Sequence, residues 1–403
     1  MTMTNIALVV VALALLGLFF HPKLRAAPLW QATVTPLASI IGSGFLVAGP
    51  ILAHVAGTRA WIAMAGLCAV AYLFGAAIRH NIVHAEQLMA HGPPRMLKVL
   101  EGTSDIALAL AYFVSVAYYL NLFAAFGLRL IDVVDPFWIR AASTFVIAIF
   151  AVTGTFGGLS ALERFEVFAV GLKLSVIGGL CVALGIASAE LASENTFDWE
   201  MVPHSRGLEE IGIFLGLVIL VQGFETSRYL GGKYDPLTRV RTMRWAQWIS
   251  TGVYLTFILL ITGFFTERIS GAGGETAIID MLAPVGTIVG PVIILAALAS
   301  QSTAAVADMS GAGGLIVEIS GGRLTINLGT LATALVAIGI TWVTNIYEII
   351  AYASKAFVLY YALQSATAAY LAWRHRRMGR MMLYWLAVLL AVVIFVFAIP
   401  AEI

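Results

Sequence analysis

Residues 33–55 read TVTPLASIIGSGFLVAGPILAHV, an apolar run with Ile41-Gly42-Ser43-Gly44-Phe45 at its middle and Pro36 and Pro50 to either side. The run is long enough to cross about 30 Å of hydrocarbon as a helix, which takes about 20 residues. Glycine and proline both weaken the helical hydrogen-bond ladder, so the stretch predicts two half-helices joined by a break at membrane depth. Taken alone, Gly42 and Gly44 read better as small residues for close helix packing. A second interrupted run decides between the two readings: 208–230 carries Gln222-Gly223-Phe224-Glu225 at its own middle, about 180 residues further on. Two breaks at corresponding places suggest two halves, each opened by an interrupted helix. Repeats of that kind form solute sites where the breaks meet. A half-helix N-terminus offers free N–H groups and positive dipole charge to a carboxylate, and freed carbonyls suit an ammonium or an alkali cation.

Outward from these stretches the chain repeats the length without the break. Its 403 residues are 61% hydrophobic and 11% charged, with a mean hydropathy of +0.94, whereas an ordinary soluble domain has about a quarter of its residues charged. Spans are predicted at 5–21, 33–55, 60–82, 103–129, 137–156, 163–187, 208–230, 245–265, 284–308, 326–344, 346–373 and 381–400. The fold class is therefore all-α and polytopic, with about 12 transmembrane helices and a five-plus-five inverted repeat whose first members are discontinuous. Residues 1–25 form an additional N-terminal helix and 26–373 the core, with repeats at about 33–187 and 208–373; 374–403 hold a last helix. The first span has its cations, Lys23 and Arg25, after the apolar run rather than before it, so it reads as a retained helix and not a signal peptide.

With that helix kept and the N-terminus outside, 15 of the 23 cations fall in cytoplasmic loops: Lys23, Arg25, Arg79, Arg95, Lys98, Arg164, Lys233, Arg239, Arg241, Arg244, Arg323, Arg374, Arg376, Arg377 and Arg380. Five, Arg59, Arg129, Arg140, Arg206 and Arg268, fall opposite. This bias orients the chain in a bacterial inner (plasma) membrane with both termini extracytoplasmic. A net charge of +1 gives no reason to invoke nucleic acid. Cys68 and Cys181 sit apart in apolar runs and predict neither a disulfide framework nor a thiolate site. His80 and His84 stand four apart where a helix meets a basic loop, which is a weak metal signal; no cofactor or metal is implied.

The residues resemble the amino acid, polyamine and organocation (APC) superfamily with the leucine-transporter fold. Four stretches carry the resemblance: Ser39-Ile40-Ile41-Gly42-Ser43-Gly44-Phe45-Leu46; Gly223-Phe224-Glu225 followed by Asp235-Pro236; Glu166 to Lys173 and Leu174; and Ala297-Leu298-Ala299-Ser300-Gln301-Ser302-Thr303-Ala304. The resemblance covers about 33–373. It implies that the backbone of Ile41, Gly42, Ser43 and Gly44 receives a solute carboxylate. Val221 to Glu225, including Gly223, would receive the amino group, with Phe224 or a neighbour as a gate and Glu225 sensing protons or bracing the break. It also implies that Lys173 takes the place of a sodium ion, while the hydroxyl pair expected on the eighth helix of the family reads Ala299 and Ser300 here. Both features favour proton coupling or exchange over sodium. The chain departs from the family in its additional leading helix, in having one helix after the repeats, and in lacking a long N-terminal tail.

An ionised side chain at mid-membrane costs at least about 2.5 to 3.5 kcal/mol, so such residues are candidates for function. Lys173 is the first, against a snorkelling alternative near the interface. Arg228 follows Glu225 by three positions, which predicts an ion pair between them. Lys355 and Asp308, the latter at the end of its predicted span, either pair with each other or act apart, Lys355 then meeting an anionic group of the solute. Tyr112, Tyr118, Tyr119 and Phe123 flank Asn121 and are packing residues or pocket lining. Three classes compete. A membrane enzyme needs carboxylate or histidine clusters at headgroup level, and none is apparent. A solute sensor needs an output domain for which the loops leave no room. Secondary transport of a small organic solute, an amino acid or amine, fits best, with a proton, or else sodium, as coupling ion, the bilayer as surroundings and the oligomeric state open.

Overall fold

Backbone polar groups inside hydrocarbon must be satisfied within the protein, and this chain meets that demand with helices. The computed structural model describes residues 3–42, 44–157, 159–194, 207–265 and 274–401, without the side chains of 156–167. Ser43, Arg206 and Arg268 lie outside the described residues, as do the side chains of Arg164 and Glu166. The helices are α1 (Met3–Phe19), α2 (Pro28–Ile40), α3 (Gly44–Ala56), α4 (Ala60–Ala90), α5 (Arg95–Leu128), α6 (Pro136–Gly157), α7 (Leu159–Ser193), α8 (Leu208–Leu215), α9 (Pro236–Ile261), α10 (Val289–Ile319), α11 (Ile326–Val343), α12 (Ile346–Arg374) and α13 (Met378–Phe397). No strand occurs among the described residues. Nine stretches among them are long and apolar enough to cross a membrane, one being the 63-residue run Pro28–Ala90 that contains α2, α3 and α4; α1 is shorter.

Several helices overrun their predicted spans. The expected start at 103 moves back to Arg95, the expected start at 245 to Pro236, and the expected end at 308 forward to Ile319. Hydropathy marks only the part of a helix that lies in hydrocarbon, whereas local chemistry sets its ends. At α9, Asp235 is the N-cap: its Oδ1 accepts the N–H groups of Leu237 and Thr238 at 3.0 and 3.1 Å, with Pro236 in the first turn. That arrangement suits an N-terminus, and the hydrogen bonds from Thr238 hold the Asp235 carboxyl below its usual range. At α12, Asn345 and Glu348 form a reciprocal capping box at 2.9 and 2.8 Å.

The bundle centre is made by α5, which packs on α10 and α12, with α9 crossing α2 and α4. The additional helix α1 lies along α7. A Cβ on Gly179 would stand 2.5 Å from the Leu8 carbonyl oxygen, so α7 presents bare backbone where α1 crosses it; small residues allow such approach in membranes. At the other end of that contact, the Thr4 hydroxyl donates to the Val285 carbonyl (2.9 Å) and the Asn5 amide to the Thr287 hydroxyl (3.2 Å). The additional helix is thus tied to the segment leading into α10.

Candidate functional site between two broken helices

The last carbonyls of a helix have no partners within it, and the break after α2 leaves several at the centre of the bundle. Ile41 leaves the helical region (φ −80°, ψ 55°) and α3 restarts at Gly44. Lys173, from α7, is fully buried here. Its Nζ donates to the carbonyls of Ala38 (2.7 Å) and Ile41 (2.6 Å) and reaches the Thr303 hydroxyl on α10 at 3.4 Å. This is an interior ammonium held by oxygens from two helices, not a snorkelling side chain. Ser300 does not join it: its Oγ is buried without a hydrogen-bond partner, and the α10 hydroxyl at the site belongs to Thr303. The Ala299–Ser300 expectation is corrected by three positions, because the helix turns Thr303 toward α2.

The second break is longer. After α8 the chain runs through two tight 3-10 turns, Val218–Val221 and Phe224–Leu230, separated by extended Gln222 and left-handed Gly223 (φ 111°). The Ile219 N–H goes to Ser354 Oγ (2.9 Å), whose hydroxyl in turn donates to the Gly216 carbonyl (2.5 Å). Gln222 donates to the Tyr119 hydroxyl at 2.7 Å. Glu225 is fully buried and turns back on its own backbone, its Oε2 accepting from the Gly223 N–H (3.0 Å) and the Tyr361 hydroxyl (2.8 Å). Phe224 stacks on Tyr361 with centroids 5.1 Å apart, and Tyr361 stacks on Phe74 at the same distance.

The two breaks meet directly. A Cβ on Gly223 would stand 2.6 Å from the Ser39 carbonyl carbon and 2.7 Å from the Ile40 nitrogen, and one on Gly42 would stand 3.1 Å from the Tyr119 ring. Tyr254, on α9, spans the junction: its hydroxyl donates to the Ile40 carbonyl (2.8 Å) and the Leu220 carbonyl (2.6 Å). Loss of one buried hydrogen-bond donor that leaves acceptors unmet costs about 1–3 kcal/mol. Tyr254→Phe is therefore expected to lower the unfolding stability of the purified protein by about that amount while membrane insertion is unchanged. Thermal unfolding in detergent reads it, and an unaltered midpoint would remove Tyr254 from the junction.

One predicted ion pair is corrected and one open alternative is decided. Arg228 pairs with Glu101 of α5 and not with Glu225, because Glu225 is already engaged by Gly223 and Tyr361 while Arg228 faces the other way. Asp308 lies well inside α10, fully buried, and accepts from the Ser115 hydroxyl rather than pairing with Lys355. Lys355 is half-buried on α12. Of the aromatic set, Tyr112, Tyr118 and Tyr119 are buried, and Asn121 donates to the Ala117 carbonyl and the Thr341 hydroxyl, both at 2.8 Å. Tyr254 and Tyr361, and a role for Thr303, are not among the sequence-based expectations; a hydroxyl in the middle of an apolar run is the available signal for each. Among the described residues no group of three or more His, Cys, Asp or Glu could hold a metal ion.

Near the end of α5 and the start of α12 lies a cavity of about 210 Å³ lined by Asn121, Arg140, Glu275, Thr344, Asn345 and Tyr347, among others. Arg140 donates to the Thr344 carbonyl at 3.2 Å. Burial pushes the Glu275 carboxyl up, against its own backbone hydrogen bond and the Arg129 charge.

A family model described as APC superfamily transporter matches residues 22–398. The chain belongs to that superfamily. An uncharacterized protein of Aquifex aeolicus (strain VF5) is 41% identical to this transporter over 355 residues, 87% of this chain and 86% of its own. Among solved structures, a substrate-bound, outward-open Na+-coupled sialic acid symporter aligns with all of this transporter and 99% of its own chain, at TM-score 0.56 and 13% identity. A mutant of the Eremococcus coleocola manganese transporter covers 92% of this transporter and 87% of its own chain, at TM-score 0.55 and 15% identity. At such identities the likeness establishes the fold alone: the transporter has the leucine-transporter fold, multi-pass in a lipid bilayer.

Proposed function

We propose that this transporter carries a small organic solute, an amino acid or amine, by alternating access around the junction of the two breaks. It works by proton coupling or exchange and without bound sodium. On this reading twelve crossings form a five-plus-five inverted repeat in a bacterial inner membrane, both termini outside. The solute meets the backbone of Ile41, Gly42, Ser43 and Gly44 on one side and Val221, Gly223, Phe224 and Glu225 on the other. The contact between the breaks is then an arrangement closed around the site.

The observation that carries the reading is the Lys173 ammonium on Ala38, Ile41 and Thr303. Two backbone carbonyls and a hydroxyl converging between two helices are the oxygen donors a hard alkali cation would need. An ammonium with three donors already occupies them, and unlike sodium it is covalently fixed and can change its charge only by giving up a proton. On this reading the sodium coupling of the sialic acid symporter is not carried over to this chain. Glu225, a second protonatable group at the junction, braces the left-handed turn through Gly223 and links it to α12 through Tyr361.

The test is a thermal-stability screen of the purified protein against amino acids, amines and small organic acids, with and without sodium, across pH 5 to 8. A ligand at 100 times its dissociation constant stabilises by about 2.7 kcal/mol. A sodium-independent, pH-sensitive shift from one amino acid or amine is expected. No shift from any of these solutes, or a shift that requires sodium, would overturn the proposal.

A further inference from the structure

Where α4 leaves the membrane it runs into three imidazoles. His80 and His84 have ring centroids 4.3 Å apart, His84 and His375 5.6 Å, and the His80 ring lies 5.3 Å from that of Tyr384 on α13. The row runs from buried to open: His80 is 5% exposed, His84 half-buried, and His375 exposed at the turn between α12 and α13. His80 Nε2 and His84 Nδ1 are both buried with no hydrogen-bond partner. Buried polar atoms of that kind call for an explanation.

The charges facing this row are all of one sign. Arg377 and Arg380 act on both His80 and His84, and His375 adds a third basic group. Arg79, one residue before His80, is turned away onto Gln247 of α9. Two acidic residues on the same side of the bundle are engaged elsewhere, Glu86 with Arg239 and Glu101 with Arg228. No Asp or Glu occurs between Glu348 and Glu402. The turn also presents the start of α13, a 20-residue helix whose N-cap, Arg377, makes no side-chain cap. The first intrahelical donor after it is the Met381 N–H, to Arg377, and the space around Gly379 is open. The earlier N–H groups and the helix dipole favour an anion.

We infer that His84, His375, Arg377, Arg380 and the N-terminus of α13 form a binding site for a phosphate-bearing anion at the α4–α13 junction, with His80 at its floor. Two sources share that chemistry: the headgroup of an anionic phospholipid, which basic pockets at a membrane face attract, and a free phosphate compound. A phosphate there would neutralise a cluster that the protein leaves without countercharge, and would fasten α13 to α4.

The full-length protein, in nanodiscs of phosphatidylcholine alone or with phosphatidylglycerol and in detergent with inorganic phosphate, gives the test by thermal unfolding. Phosphatidylglycerol is expected to raise the midpoint. Arg377→Gln and Arg380→Gln should each weaken the half-saturating effect about fivefold, from about 1 kcal/mol per surface cation. His84→Gln should weaken it as well, while Arg323→Gln, in another loop on the same face, should leave it unchanged. Stabilisation by phosphatidylglycerol alone identifies a headgroup site, and an equal effect of inorganic phosphate a free-anion site. No stabilisation by either, or an equal loss in Arg323→Gln, overturns the inference. Because the readout is lipid or phosphate binding, failure here leaves the solute reading intact.

Discussion

Lys173→Ala is expected to reach the membrane folded and to lose proton-driven uptake by at least about tenfold, a change of about 1.4 kcal/mol in the effective barrier. Two effects on stability oppose each other. Removing the ammonium leaves the Ala38 and Ile41 carbonyls without their donor, at about 1–3 kcal/mol each, but it also abolishes the desolvation of a buried charge, which is worth several kcal/mol. The net change is therefore small beside the loss of function. A sharper consequence follows from what the truncation leaves behind. The Ala38 and Ile41 carbonyls and the Thr303 hydroxyl would line a space the size of the lost side-chain end, so sodium is expected to raise the unfolding midpoint of the variant and not of the wild type. Proteoliposome uptake under a pH gradient, with thermal unfolding in sodium and in choline salts, reads both. Wild-type proton-driven uptake in the variant would sink the coupling role.

Gly223→Ala is expected to have the largest effect on stability, about 2–5 kcal/mol. Gly223 has φ 111°, and a left-handed conformation costs a residue with a Cβ about 1–2 kcal/mol. The added methyl would also meet Ser39 and Ile40 at 2.5 to 2.7 Å, mostly backbone that cannot swing aside. Overpacking of this kind costs a further 1–3 kcal/mol, roughly. Because the clash falls where the two breaks touch, uptake should fail along with stability. Gly232→Ala is the control: a Cβ there would meet nothing within 4 Å, and a change within about 0.5 kcal/mol is expected. Equal unfolding midpoints for the two variants would show that the breaks are not in contact in the membrane.

Both breaks are legible in the sequence because Gly42, Gly44 and Gly223 stand at corresponding places inside two runs that must otherwise be helical. Lys173 is legible for a similar reason, as a charge ten residues into an apolar span. What escapes is the identity of partners. Nothing local tells that Thr303 rather than Ser300 faces α2, since that depends on how α10 is rotated in the bundle. The Arg228–Glu225 pairing fails because spacing along one segment competes with a carboxylate, Glu101, 127 residues away in sequence. The ends of α5, α9 and α10 differ from their predicted positions because polarity marks where lipid stops, whereas a helix stops where its caps are. Tyr254 and Tyr361 are single hydroxyls in aromatic-rich helices, indistinguishable by composition from packing residues.

The Tyr254 hydroxyl carries one hydrogen and faces two carbonyls. Ile40 and Leu220 cannot both hold it at full strength, so whatever draws that hydrogen toward one broken helix loosens it from the other. The junction is in this sense a balance with a single weight. A rearrangement that parts the breaks has to choose which one keeps the tyrosine, and the one left behind must find water, solute or a neighbouring donor in its place.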